Sequence, residues 1–401
     1  MKKLFVIFLC LIVCLFAVAC ANNSKTDNND KDDIDTSDVQ NDDDKYVPGD
    51  DEDNSMFEYP KAPREYVVNY MRNMATIEWT PKTTFLLYGK YQAWKYNLTY
   101  KKGEKYYGLP FLVDSKGSMQ EFLANVDNGV YVGGTSAHDC IGNACYDAVY
   151  MSLIQVCPSI TFKSTEDMLP KNNTGFVAIG DWNSNLTKRD TSVIIENTST
   201  EIMCKAYAQL RPGDVLMKHI VVQDAGHARI VSGKAHVEYT EYNTIDITKS
   251  YVTTIEQTNV WNNVSPVNTT WWVDRKITFS ALLKDYFVPV RPVDYIETPD
   301  APYIKADGLT SAEEIAEASS LSGTISSNHY IMKVEIIITN QDGKEMYNNT
   351  FYPNSKKVSL ENVKYSPKND QYENGTYKFT LKASLASGTK TLADYTFDIN
   401  H

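Results

Sequence analysis

Apolar residues change their spacing partway along this chain, and that change limits its architecture more than any other feature. From Arg64 they fall at Tyr66, Val67, Tyr70, Met71, Met74 and Ile77, the repeat of an amphipathic helix, which Thr80-Pro81 stops. A second helix is predicted from Cys145 to about Val156, with Ala148, Val149, Leu153 and Val156 along one side and Pro158 closing it. A third is predicted near 199–210, opened by Thr198 with Glu201 three residues later, the spacing of a capping box. After it the period becomes two, and Asp214 to Val222, His227 to Tyr239 and Tyr251 to Gln257 read as strands. Helices first and strands after predict an α+β domain.

A chain of 401 residues is long enough for two folded units. The proline-rich run that starts at Val288 predicts a boundary, with residues 59–297 as one domain and 298–320 as a linker. Beyond Leu321 the chain reads as all β. Tyr377, Phe379, Leu381 and Ala383 alternate with polar residues, and Asp342-Gly343 and Asn374-Gly375 are turn signals. Residues 321–401 are therefore predicted to form a small immunoglobulin-like β-sandwich.

The N-terminal segments are of another kind. Residues 1–20 have a basic start at Lys2 and Lys3, an apolar run from Leu4 to Phe16, and small residues before Cys20. That run is shorter than the ~20 residues a membrane span needs. The ending AVAC resembles a bacterial lipobox, which implies that Cys20 is lipidated, that it becomes the mature N-terminus, and that the protein is extracytoplasmic and lipid-anchored to the cell membrane. Residues 21–58 hold 14 Asp and Glu against 3 Lys and almost nothing apolar, so they read as a disordered acidic tether. Most of the net charge of −12 lies there, which leaves the rest near neutral, and no basic patch offers a footprint for nucleic acid.

Four cysteines remain for the folded part: Cys140, Cys145, Cys157 and Cys204, enough for two disulfides. Cys145 stands at the predicted start of a helix, where unpaired amides and the helix dipole favour a thiolate. A thiolate nucleophile needs a base and a group to orient it, and His227 and Glu256 follow in that order, 82 and a further 29 residues on. His227 shares a strand face with Arg229, and Glu256 shares one with Val252 and Thr254.

LRPGDVL at 210–216, then GHARIV at 226–231, and YYGLPF at 106–111 ahead of the cysteine together resemble the NlpC-type and CHAP-type branch of papain-like cysteine hydrolases. The resemblance covers about residues 64–290. It implies a papain-like domain with helices packed on an antiparallel sheet, no cofactor, and hydrolysis of amide bonds in peptidoglycan stem peptides by Cys145, His227 and Glu256. The departures are specific. The usual Asp-Cys-Ser is split here between DCIG at 139–142 and NACYDAV at 143–149, so Cys140 is the alternative nucleophile. Cys145 is favoured because Gly142 would interrupt the first turn of a helix opened by Cys140. Phe111 stands where the family carries a tyrosine that assists at the oxyanion site. A binding lipoprotein on the same fold, without activity, is the competing expectation. His138, His219 and His236 show no metal-ligand spacing, and no phosphate-loop or dinucleotide fingerprint is present.

Overall fold

The computed structural model describes residues 54–89, 95–113, 115–161, 164–170, 174–184, 190–223, 225–361, 363–364 and 372–400. The segments expected to be a signal peptide and an acidic tether, with Cys20, lie outside the described residues as far as residue 53.

Helix α1 (Pro63–Thr76) begins with proline, whose fixed φ suits the first turn, and buries Val67, Val68, Tyr70, Met71, Met74 and Ala75. Helix α3 (Cys145–Leu153) packs against α1 and is almost wholly buried. The remaining helices are α2 (Met119–Ala124), α4 (Thr191–Glu196), α5 (Thr200–Ala208) and α6 (Phe279–Lys284). Ser199, not Thr198, caps α5, its side chain accepting from the Ile202 amide.

The main sheet has six strands: β7 (Phe176–Ala178), β8 (Val215–Ile220), β9 (Ala225–Val231), β10 (Tyr251–Gln257), β12 (Trp271–Thr278) and β13 (Val288–Pro292). Their order is β12-β10-β9-β8-β13-β7, and every neighbouring pair is antiparallel. A second sheet joins five strands of two to four residues, in the order β11 (Asn268–Thr269), β4 (Tyr106–Tyr107), β1 (Glu78–Pro81), β6 (Val130–Tyr131) and β5 (Val126–Asp127). It carries an aromatic cluster around the buried Trp79, whose ring lies 5.4 to 5.5 Å from those of Tyr100, Phe122 and Tyr131. A hairpin of β2 (Phe85–Tyr88) and β3 (Asn97–Tyr100) completes this part.

The C-terminal part has two further sheets over one core. One is β14 (Ile304–Asp307), β15 (Thr324–Ile331) and β18 (Ser355–Ser359). The other is β17 (Glu345–Phe351), β16 (Lys333–Asn340), β19 (Gly375–Leu385) and β20 (Gly388–Ile399). Ile325, Ile336, Ile338, Leu381 and Phe397 meet between them.

The expectation of an α+β, papain-like domain with helices packed on a sheet is corrected. Strand accounts for 37% and helix for 17%, in five sheets and six helices among the described residues, which does not fit that class. The reason lies between residues 78 and 131. Strands two to four residues long are too short to show a period of two, so only the helices on either side of that stretch left a readable pattern.

The two parts share buried surface. Tyr330 and Met332 pack into the core that surrounds α3, the Tyr330 hydroxyl donates to the Ile160 carbonyl at 2.5 Å, and Gln155 Nε2 contacts Met332 Sδ at 3.4 Å. At the other end Phe57, read from sequence as part of the tether, is buried in the C-terminal core, and Asn54 accepts from Lys390 and from the Ile304 amide. Deleting residues 298–401 is therefore expected to cost about 2–5 kcal/mol through the loss of Tyr330 and Met332 alone. Thermal denaturation of residues 54–297 against residues 54–401 checks this, and an unchanged midpoint would show that the first part is self-sufficient.

Candidate functional site: a cysteine, a histidine and a caged glutamate

Cys145 is the first residue of α3 and is fully buried. The residue before it, Ala144, is extended, and its amide donates to Asp147 Oδ2 at 3.3 Å across the first turn. The approach to the helix is strapped to the YYGLPF segment. The Asn143 amide donates to the Pro110 carbonyl at 3.0 Å and the Leu112 amide to the Asn143 carbonyl at 3.1 Å. Gly142 sits so close that an added Cβ would come within 2.6 Å of the Pro110 oxygen. Leu109 is fixed in turn, because its carbonyl accepts from Gln257 Nε2 at 2.8 Å and from Trp271 Nε1 at 2.9 Å. Gln257 directly follows Glu256, so one strand anchors the loop that presents the thiol and also carries the carboxylate.

His227 lies on β9, against which α3 packs, and its ring hydrogen-bonds the Cys145 side chain. Its Nε2 lies 2.5 Å from Glu256 Oε2 on the neighbouring β10. With Nε2 on the carboxylate, Nδ1 is the nitrogen left for the thiol, and that tautomer suits a base that takes a proton from sulfur. Burial lowers the pKa of His227, but the Cys145 sulfur and then Glu256 outweigh it and raise the imidazole above its ordinary 6.5. The charged imidazole thus contributes stability that is full below pH 6.5 and is lost as the pH rises through the folded value. Because Cys145 is the largest raising influence, Cys145→Ala is expected to lower the His227 pKa. An NMR titration of the ring in both proteins checks this, and an unmoved or raised value would separate the two side chains.

Glu256 is fully buried and is held by three cations. Oε2 accepts from His227 and from Arg229 Nε at 2.6 Å, and Oε1 accepts from an Arg275 guanidinium nitrogen at 2.9 Å. Burial pushes the carboxyl up, yet Arg229, His227 and Arg275 together hold it well below the ordinary carboxylate range. Its contribution to stability is present above the ordinary 4.5 and is lost as the pH falls through the folded value. Arg229 stacks over Phe287 with 4.2 Å between its central carbon and the ring, and Arg275 stacks over Trp272 at 4.3 Å. Neither arginine was a candidate from sequence. Arg229 shares the face of His227 and was open to that reading, whereas Arg275 depends on a register shift between β10 and β12 that no local pattern announces.

The other sequence candidates fall elsewhere. Cys140 is buried beside the Tyr131 hydroxyl, 3.9 Å from its sulfur, and burial pushes its thiol up to about 12. Phe111 is buried edge-on to Tyr96 at 5.1 Å and offers no donor. All four cysteines of the folded part are free thiols, so the two possible disulfides are not formed. Asp214 of the LRPGDVL motif is a structural clamp rather than a reacting group. It is fully buried, accepts from the Arg211 amide at 2.9 Å, and pairs with Arg64 at 2.8 Å and Arg291 at 2.7 Å. Gly213 before it holds a φ of +84°, a conformation that favours glycine.

No protein-family model and no curated protein matches this chain. Among solved structures it is similar at 9% identity to PorZ, a bacterial surface component of the type-IX secretion system of Porphyromonas gingivalis, with 44% of this chain and 26% of that chain covered and a TM-score of 0.14. A likeness at that score carries no argument about fold or function, and the chemistry open to this chain rests on Cys145, His227 and Glu256 themselves.

Proposed function

We propose that this protein is a surface-anchored cysteine hydrolase, a peptidase or amidase, that cleaves amide bonds of peptidoglycan stem peptides. The observation that carries the reading is the His227 ring bridging Cys145 at a helix N-terminus and a buried Glu256. Cys145 attacks the carbonyl as its proton passes to His227, and a thioester forms as the C–N bond breaks. His227 returns the proton to the departing amine, and water then hydrolyses the thioester. Glu256 holds the ring through Nε2, and the amides of the first turn of α3 offer donors for the developing oxyanion. The reading rests on this geometry and on the motif order, not on a papain-like architecture. The stem-peptide substrate and the lipid anchor at Cys20 come from the sequence resemblances, and no cofactor is required.

Incubating purified peptidoglycan with residues 54–401 is expected to release peptides with new amine termini, identified by mass. The competing reading, a wall-binding lipoprotein without activity, is favoured by one observation: Cys145 has no exposed surface in this conformation. Wall material recovered intact with the protein bound to it would replace the hydrolase with that reading.

A further inference from the structure

One cation next to the candidate site has no ion-pair partner among the described residues. Lys218 lies on β8 directly opposite His227 in the antiparallel register, so the two side chains leave the same face of the sheet side by side. Lys218 is 7% exposed, and among the described residues its ammonium has no hydrogen bond or ion pair. Burial lowers its pKa, Asp285 acts on it from beyond ion-pair distance in the opposite sense, and Arg229 adds to the lowering. Arg229 on the same face is paired with Glu256 but has donor capacity left over. It is 8% exposed, its Nε is spent on Glu256, and its Nη1 is buried without a hydrogen-bond partner among the described residues. Phe287 fixes the plane of that guanidinium from one side.

Burying a guanidinium nitrogen without an acceptor is costly, and Arg229 Nη1 lies on the same sheet face as the Lys218 ammonium, beside a nucleophile and its base, where an anion would be stabilised. The His227 side chain on this face keeps 17% of its surface exposed, although Cys145 itself is fully buried. Glu256 cannot supply the missing charge, because both of its oxygens are already engaged.

We propose that Lys218, with Arg229 beside it, forms an anion subsite that receives a carboxylate of the substrate next to the bond being cleaved. This deepens the hydrolase reading and rests on it for the identity of the ligand. It makes the favoured substrates acidic peptides, in which a free carboxylate near the scissile amide pairs with the Lys218 ammonium. Lysine supplies a compact charge and the arginine a planar donor, the pairing that suits a carboxylate oxygen at each.

The test uses two synthetic stem peptides that differ only at the glutamyl α-carbon, one with a free carboxylate and one with a carboxamide. Binding is measured by calorimetry on the mature chain carrying Cys145→Ala, and cleavage on the chain with Cys145 intact. The carboxylate peptide is expected to bind and react roughly 10- to 100-fold better than the carboxamide. Lys218→Met is expected to collapse that ratio towards one, and Lys218→Arg to retain most of it. Equal binding of the two peptides by the Cys145→Ala chain overturns the subsite even if both are cleaved. Discrimination in binding without cleavage of either peptide upholds the subsite and removes the hydrolase. If Lys218→Met does not fold, the ratio in the unmodified chain and in Lys218→Arg still decides.

Discussion

Cys145→Ala is expected to lower amide hydrolysis by about 10⁴-fold or more, while Cys140→Ala keeps most of it. The two thiols lie five residues apart in sequence but differ in their neighbours. Cys145 meets the His227 ring, whereas Cys140 meets the Tyr131 hydroxyl and is held protonated, its pKa near 12. His227→Ala should cost nearly as much as Cys145→Ala, because a thiol without its base and a base without its thiol leave the same residual catalysis. Glu256→Gln is milder in chemistry, since an amide oxygen still accepts from the imidazole. It is not mild in structure, because the 8% exposed Arg229 loses its counter-charge, and a stability loss of about 3 kcal/mol is expected. Rates of amine release at neutral pH, read beside the unfolding midpoint of each variant, check the series. Cys140→Ala inactive with Cys145→Ala active would exchange the two thiols, and full activity in both would end thiol catalysis.

The second large effect concerns Asp214 and falls on stability. Asp214→Ala is expected to cost about 3 kcal/mol, towards the lower end for breaking a buried ion pair, because Arg64 and Arg291 keep 22% and 18% of their side-chain surface exposed. The loss is not confined to one turn. Arg64 belongs to α1 and Arg291 to β13, so the carboxylate joins the first helix, the entry to β8 and the sheet strand beside it. A fall of roughly 5–10 °C in the unfolding midpoint would be seen in calorimetry. Activity measured well below the new midpoint should survive, since Asp214 touches none of the proposed reacting atoms. A lost rate with an unchanged midpoint would move this residue from scaffold to chemistry.

The sequence by itself determined the parts of this protein that depend on neighbours along the chain. Pro63 and the apolar repeat that follows specify α1, Gly213 specifies the turn into β8, and the alternation from Gly375 to Ile399 specifies a long hairpin, because each is a contest among local backbone conformations. Cys145, His227 and Glu256 were legible as candidates for the same reason, each marked by its own flanking residues. Only the tertiary structure decided the fold class, since the short strands between Glu78 and Tyr131 gain their hydrogen bonds from partners as distant as Asn268. It also decided the environment of the candidate site. The cage of Arg229 and Arg275 around Glu256, and the placing of Lys218 beside His227, are consequences of strand register, and register is set by the packing of whole strands rather than by any residue alone.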